Sequence, residues 1–420
     1  MLYISIALSL FLVVSIPVKE KPGRQLKPWQ KGYLDIHHIN TGQGDAAYFI
    51  FPDGTTMLFD AGDFDSEAFN ISRKPLKATS LHPDDSKSAG QWIDHYIKHV
   101  TPVEHQSDID YALVSHFHSD HYGYVTEASK DSKTGAYKLT GLTEVGELIP
   151  IRMMIDRAGP ALDYPVDLKS HYQNNETFMN YLRFIEYHTQ EGTMKADRLI
   201  PGADDQIVLK EDPASFPLFK VRNVKANGTI WDGNHGTIEI LDPGEIIENG
   251  KFNENPLSLA IKLSYGPFDY FTGGDNTGMS DYGNPEWFDV ETPMTEFVGA
   301  VEVSTLNHHG NRDATNSQFV KNLSPRVVVQ QTWCSDHPGM EVFYRLAHLN
   351  KLDSCDLFAT NIHEETKVAF GPWFVKGYES MSGHVLIRVL PGGKEFYVIT
   401  LDDETVEITV KEVFGPYQSK

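Results

Sequence analysis

From residue 33 onward the chain consists of short apolar runs separated by turn residues, the pattern of strands joined by tight connections. Tyr33-Leu34-Asp35-Ile36-His37-His38-Ile39 reads as a first strand, followed by Gly42-Gln43-Gly44-Asp45 and a second strand from Ala46 to Phe51. Pro52-Asp53-Gly54 is a hairpin turn, and Thr55 to Phe59 returns as a strand ending in Asp60-Ala61-Gly62. Trp92, Ile93, Tyr96, Ile97 and Val100 recur at helical spacing and predict an amphipathic helix over 88–100. Tyr111 to Ser115 is a short apolar strand, and a histidine cluster follows it directly. Between 126 and 250 the pattern is less regular. A helix around Asn175–Tyr187 and strands near Leu199–Leu209 and Phe219–Val224 are expected there. Leu257–Leu263 and Phe268–Thr272 predict a hairpin, Val301–Leu306 a strand, Gln318–Leu323 a helix and Arg326–Gln330 a strand. His384–Leu390 and Phe396–Leu401, split by Pro391-Gly392-Gly393, predict another hairpin. Strands and helices interleave without an internal repeat, so the expected architecture is a layered α/β domain with the sheets inside.

Ahead of this pattern, Leu2 to Ile16 carries no charge. It is shorter than the roughly 20 apolar residues of a spanning helix, so residues 1–17 read as a signal peptide or an N-terminal membrane anchor. That predicts an exported protein, periplasmic or secreted, or one tethered at its N-terminus. Residues 18–32, rich in Lys, Pro and Gln, read as a linker, and 33–420 as one domain with insertions between 126 and 250. With 40% hydrophobic and 22% charged residues, wholesale disorder is excluded. The net charge of −22 argues against a nucleic-acid coat protein or a polybasic membrane binder. Two cysteines, Cys334 and Cys355, exclude a disulfide framework and a four-thiolate zinc site.

The eighteen histidines change the picture, because several are clustered. His116-Phe117-His118-Ser119-Asp120-His121 places four potential ligands directly after a strand. In an extended segment His116 and His118 point the same way and can grip one ion together. Asp120 and His121 can reach a second ion as the chain turns at Gly123. Phe271-Thr272-Gly273-Gly274-Asp275 puts a carboxylate just past a strand, where it can bridge two cations. Leu306-Asn307-His308-His309-Gly310 places imidazoles at another strand end. Of the remaining histidines, one of His37 and His38 is expected to be packed and the other exposed. Trp333-Cys334-Ser335-Asp336-His337-Pro338 reads first as a structural turn, with His337 within reach of a cleft. His384 could belong to the core or line the site.

Taken in order, these segments resemble the metallo-β-lactamase fold, and most closely its ComEC-like branch. Gly42-Gln43-Gly44-Asp45 is similar to the opening motif of that branch, and Pro52-Asp53-Gly54 with Leu58-Phe59-Asp60-Ala61-Gly62 to its next strand pair. His116 to His121 matches the HxHxDH signature. Asn255-Pro256-Leu257-Ser258 ahead of Phe271 to Asp275 resembles its Asn/Ser segment and Thr-Gly-Asp motif, and His308-His309-Gly310 its later His-His-Gly. The resemblance implies a four-layer αβ/βα sandwich with one or two divalent metal ions at one edge of the sheets: zinc, with manganese or iron as alternatives. It implies His116 and His118 on metal one, Asp120 and His121 on metal two, Asp275 bridging, and His308 or His309 completing metal two. Asp60 and Asp45 would support the ligand loop from behind. Asn255 and Ser258 would lie near the cleft.

The chain departs from the superfamily in one respect. The segment Asn253 to Ser258 has no histidine where many relatives supply a further ligand, so metal one is expected to be short of a donor. The implied function is a metal-dependent hydrolase using metal-activated water, with Asp120 orienting that water. The implied substrates are phosphodiesters, small or nucleic-acid-like, rather than extended duplex DNA. Duplex binding needs several Lys or Arg contacts to phosphate. Hydrolysis of lactams, lactones or thioesters, or a non-catalytic metal-binding scaffold, are the alternatives. Beyond the possible N-terminal anchor no membrane partner is expected.

Overall fold

The computed structural model describes residues 20–279, 283–349 and 355–420, so the expected leader over 1–17 lies outside the described residues. In chain order the first strands are β1 (Leu34–His38), β2 (Ala46–Ile50), β3 (Thr56–Ala61), β4 (Ile109–Leu113), β5 (Ile151–Asp156) and β6 (Lys195–Arg198). Next come β7 (Phe219–Ala226), β8 (Thr229–Trp231), β9 (Thr237–Glu239), β10 (Ala260–Tyr265), β11 (Phe268–Gly273) and β12 (Val303–Thr305). The last are β13 (Val327–Gln330), β14 (Asp356–Ala359), β15 (His384–Val389), β16 (Glu395–Leu401) and β17 (Val410–Gln418).

These strands form two mixed sheets. One has nine strands in the order β17-β16-β15-β1-β2-β3-β4-β5-β6, the other eight in the order β14-β13-β12-β11-β10-β7-β8-β9. Each sheet is antiparallel over one part and parallel over the other, the parallel runs being β3 to β6 and β11 to β14. Parallel strands need long crossovers, and here helices run over the sheets between them. The β1 register pairs Leu34 with Val389 on one side and Asp35 with Ile50 on the other.

Strand alternation distributes the apolar residues to both faces. From β1 to β4, Leu34, Ile36, Ala47, Phe49, Met57, Phe59, Tyr111 and Leu113 face the second sheet, meeting Val221, Ile261, Leu263, Phe268, Tyr270, Val303 and Val327. On the outer face Tyr48, Ile50, Leu58 and Ala112 pack under the helices Ala89–Val100, Gly141–Leu148 and Glu176–Gln190. The outer face of the second sheet packs Phe271, Val328 and Leu357 against the helices Ser317–Leu323 and Met340–Leu349. Strands buried on both faces read as nearly continuous apolar runs, which is why they stood out in the sequence. The result is a mixed α/β sandwich with helices outside. No helix among the described residues is long and apolar enough to cross a membrane.

Three expectations differ from what is observed. His37 and His38 are both fully buried, because each bonds within the fold: His37 Nδ1 to the Tyr96 hydroxyl at 3.0 Å and His38 Nδ1 to Gln331 Oε1 at 3.0 Å. Burial holds both imidazoles neutral, lowering His38 to about 4. The 199–209 stretch is not a strand. Its apolar residues Leu199, Ile207 and Leu209 plug the inter-sheet core from turns, and the strand lies just before it as β6. The 20–32 segment is not a free linker. Leu26 and Trp29 are buried, and Glu20 pairs with the Arg388 guanidinium at 3.0 Å.

Candidate metal centre

The ligand loop follows β4 and is fixed by the ends of its neighbours. Asp60, at the end of β3 with φ of 61°, accepts from Ser115 N at 2.7 Å and contacts His121 Nδ1 at 2.8 Å. The backbone of Asp120 is clasped from two sides. Asp45 N donates to Asp120 O at 2.8 Å, and Gly44 and Gly62 press on the same carbonyl. A Cβ on Gly44 would stand 2.2 Å from Asp120 O and one on Gly62 2.0 Å, distances no side chain tolerates. The glycines of the two early motifs thus make room for the loop.

Asp275 follows β11, and its N donates to Ser258 Oγ at 3.0 Å. His308 and His309 follow β12 and are both left-handed (φ 46° and 54°), a conformation costing an L-residue roughly 1–2 kcal/mol. Gln330 Nε2 holds the His309 carbonyl at 2.7 Å, and Glu291 accepts from Asn307 Nδ2 at 2.8 Å and from the amides of Thr315 and Asn316 at 2.7 Å each. The strained pair is thereby locked from both sides. Consecutive left-handed residues splay the two imidazoles to opposite oxygens of Asp275.

Around Oδ1 stand His121 Nε2 at 3.2 Å and His309 Nε2 at 3.6 Å, while Asp120 Oδ2 lies 3.6 Å from His121 Nε2 and 3.1 Å from His309 Nε2. Tetrahedral bonds of about 2.0–2.3 Å would separate ligand atoms by roughly 3.3–3.8 Å, so these four atoms lie close to the edges of a divalent-ion cage. Around Oδ2 stand His116 Nε2 at 3.6 Å and His308 Nε2 at 3.8 Å, with His118 Nδ1 3.0 Å from His116 Nε2. Two His/Asp groups therefore can hold a metal ion, sharing Asp275. His309, not His308, joins Asp120 and His121. His308 comes to the side that was expected to lack a donor, where Asn255 Nδ2 is 3.2 Å from its Nε2.

Carboxylates back three of the imidazoles. Asp60 stands behind His121, Asp313 Oδ1 is 2.6 Å from His308 Nδ1, and Asp45 Oδ1 is 3.0 Å from His309 Nδ1, in contact but off the line of a hydrogen bond. Such partners orient metal-binding imidazoles and fix their tautomer. Burial alone would lower the His121 pKa, but Asp275, Asp120 and Asp60 outweigh it and hold it well above the ordinary value. His309 is raised in the same way by Asp45 and Asp275. Burial would raise Asp275, yet His121, His309, His308 and His116 pull it well below the usual carboxylate range. A field this negative, with His121 Nε2 buried and making no hydrogen bond, suits divalent cations.

The centre opens into a cleft of about 550 Å³ walled by Phe64, Phe69, Arg73, Asn255, Trp333 and His337. His337 thus reaches the cleft. Ser258 supports Asp275 from below, and His384 does not line the cleft: its Nδ1 accepts from Asn40 N at 3.0 Å and its ring packs on Tyr96. Sequence reasoning missed Asp313, which no motif marks, and Glu254, which accepts from Phe117 N at 3.2 Å and pairs with the buried Arg157. Glu254 adjoins Asn255, and a carboxylate beside that segment was the available signal. It also missed Lys225, whose Nζ holds the carbonyls of Pro256 and Ser258 at 2.6 and 3.0 Å. Comparison with protein-family models and with curated proteins finds no match to this chain.

Proposed function

We propose that this chain is a metal-dependent hydrolase of the metallo-β-lactamase type, in its ComEC-like branch, acting on small or single-stranded phosphodiesters. The observation that carries the reading is the meeting of three sequence-distant segments, His116–His121, Asp275 and His308–His309, at strand ends of both sheets and at the floor of one cleft. Ions held there, zinc before manganese or iron, would supply Lewis acidity and lower the pKa of water. The protein's own groups do the positioning. Asp120, which lines the cleft, would accept a hydrogen bond from the attacking water. Asn255 Nδ2 offers a donor to a substrate oxygen. Arg73, the single Lys or Arg among the described residues lining the cleft, offers its guanidinium to a further anionic oxygen.

One arginine in an acidic cleft on a protein of net charge −22 suits a small anion better than a long duplex. The test is a comparison of a small phosphodiester, a short single strand, a long duplex and a lactam, with His118→Ala as control. Metal-dependent cleavage of the first two, lost in the variant, is the expected result. Turnover of the lactam alone would transfer the protein to the lactam-hydrolase alternative, and no turnover with metal bound to the scaffold alternative.

A further inference from the structure

Outside the donors around Asp275, a second set of ligand-type side chains lies on the cleft wall. Cys334, Asp336 and His337 each present one donor atom, all within 4.8 Å of one another, and all three residues line the cleft. We propose that they hold a third divalent cation of borderline softness, of which zinc is the commonest, with a coordination position left open toward the cleft for an oxygen of an anionic substrate.

The backbone that presents them is fixed. His337 N donates to Cys334 O at 3.1 Å, closing the turn. On its outer side Thr79 N donates to Trp333 O and Ser335 N to Lys77 O, both at 2.8 Å, and Ala78 and Cys334 form a β-bridge. The three side chains therefore project from a clamped loop, as a preorganised site requires. The His337 ring lies parallel to His309 at 4.6 Å between centroids, which fixes its plane.

Within the group the Cys334 thiol shares a hydrogen bond with the Asp336 carboxylate, and an ion would take the place of its proton. The His337 side chain is only 4% exposed, and Nε2 is the ring nitrogen nearest Asp336. His337 Nε2 stands 3.7 Å from Asp336 Oδ1, too far for a hydrogen bond and close to the spacing of two ligands on one tetrahedral ion. Cys334 is in no disulfide, and burial and the neighbouring Asp336 carboxylate hold the proton on its thiol. Thiolate, carboxylate and imidazole together favour zinc or cobalt over magnesium or calcium. The thiolate and carboxylate charges would cancel those of a divalent ion, and the thiol proton would leave to solvent on binding. Three protein donors on a four-coordinate ion leave one position free, the arrangement of a site that meets substrate.

The role given to the open position rests on the hydrolase reading, while the metal site itself is tested apart from it. The chelator-stripped full chain is titrated with cobalt(II), and sulfur-to-cobalt charge-transfer absorption is followed alongside the amount of cobalt bound. The donors around Asp275 include no sulfur, so that absorption reports the new site alone. Expected are a thiolate band worth one equivalent of cobalt, its loss together with that equivalent in Cys334→Ser, and its persistence in Cys355→Ser. Asp336→Asn, which keeps the thiol and the volume, should shift the band to at least tenfold higher cobalt, so the test survives if Cys334→Ser misfolds. No band at saturating cobalt, a band that survives Cys334→Ser, or an unshifted band in Asp336→Asn overturns the proposal. A thiolate band without cobalt at the Asp275 donors would instead remove the two-ion reading and leave this one standing.

Discussion

Around Asp275 Oδ1 the donor atoms of Asp120, His121 and His309 complete a closed cage, whereas around Oδ2 His116, His118 and His308 stand in an open arc edged by Asn255. His121 and His309 on the cage side are buried, and a carboxylate contacts the far nitrogen of each. In the arc, among the described residues, only His308 has such a partner, Asp313, and both His118 and His308 are partly open to the cleft. Asp275 thus joins a more enclosed donor group to a more open one. The difference teaches that ions held on the two sides need not be equally tight: an ion in the cage should bind more firmly than one in the arc.

Asp275→Asn should have the largest effect, because both sides lose their shared donor. Metal analysis after dialysis should fall from two ions at the Asp275 donors to none. A full equivalent retained on the cage side would show that three donors close it unaided, and would break the comparison. Asp60→Asn and Asp313→Asn come next. Each removes the carboxylate behind one imidazole and should weaken one site by about 10–100-fold, the cage in the first case and the arc in the second. Competition titrations against a chelator resolve the two, and equal weakening of both sites by either variant would mean that they do not act separately.

The smallest effect is on the loop that serves both sides. Burial raises Glu291 to about 7, against the pull of its donors Asn316, Asn307 and Thr315. A carboxyl that is harder to ionise when folded binds more protons in the native state, so its contribution to stability falls as pH rises from the unfolded value near 4.5 through 7. Between pH 6 and 8 that amounts to about 1 kcal/mol, and urea unfolding of Glu291→Gln should show a correspondingly flatter pH profile than the wild type.

The strand ends that carry ligands were readable in the sequence for a physical reason. Phe49, Phe59, Leu113 and Phe271 are buried in strands whose apolar runs are short and bounded by glycine or by the ligands themselves. The glycines at 44 and 62 were readable as motif members, but their purpose, admitting the Asp120 carbonyl, needed the structure. His308 against His309 could not be assigned, because the answer depends on two successive left-handed residues, and spacing does not report backbone handedness. Asp313 and Arg157 were invisible for a different reason. Each meets its partner through a fold contact that leaves no pattern in the surrounding residues. The same holds for the 199–209 stretch, where apolar residues fill a core from turns.

The position of β1 also governs how the protein must be made. Its partner on one side, β2, follows almost at once, but its partner on the other, β15, begins at His384. At about 5–20 residues per second, a ribosome needs roughly 20–70 s to deliver it. Throughout that interval the β1 edge that pairs with β15 has no strand beside it, and open edges invite pairing with other chains. The nascent chain therefore displays its HxHxDH loop, which follows β4 of the same sheet, before that sheet is closed. A holdase that covers the β1 edge during synthesis would raise the yield of folded protein, and a circular permutant that begins at residue 384 would shorten the wait.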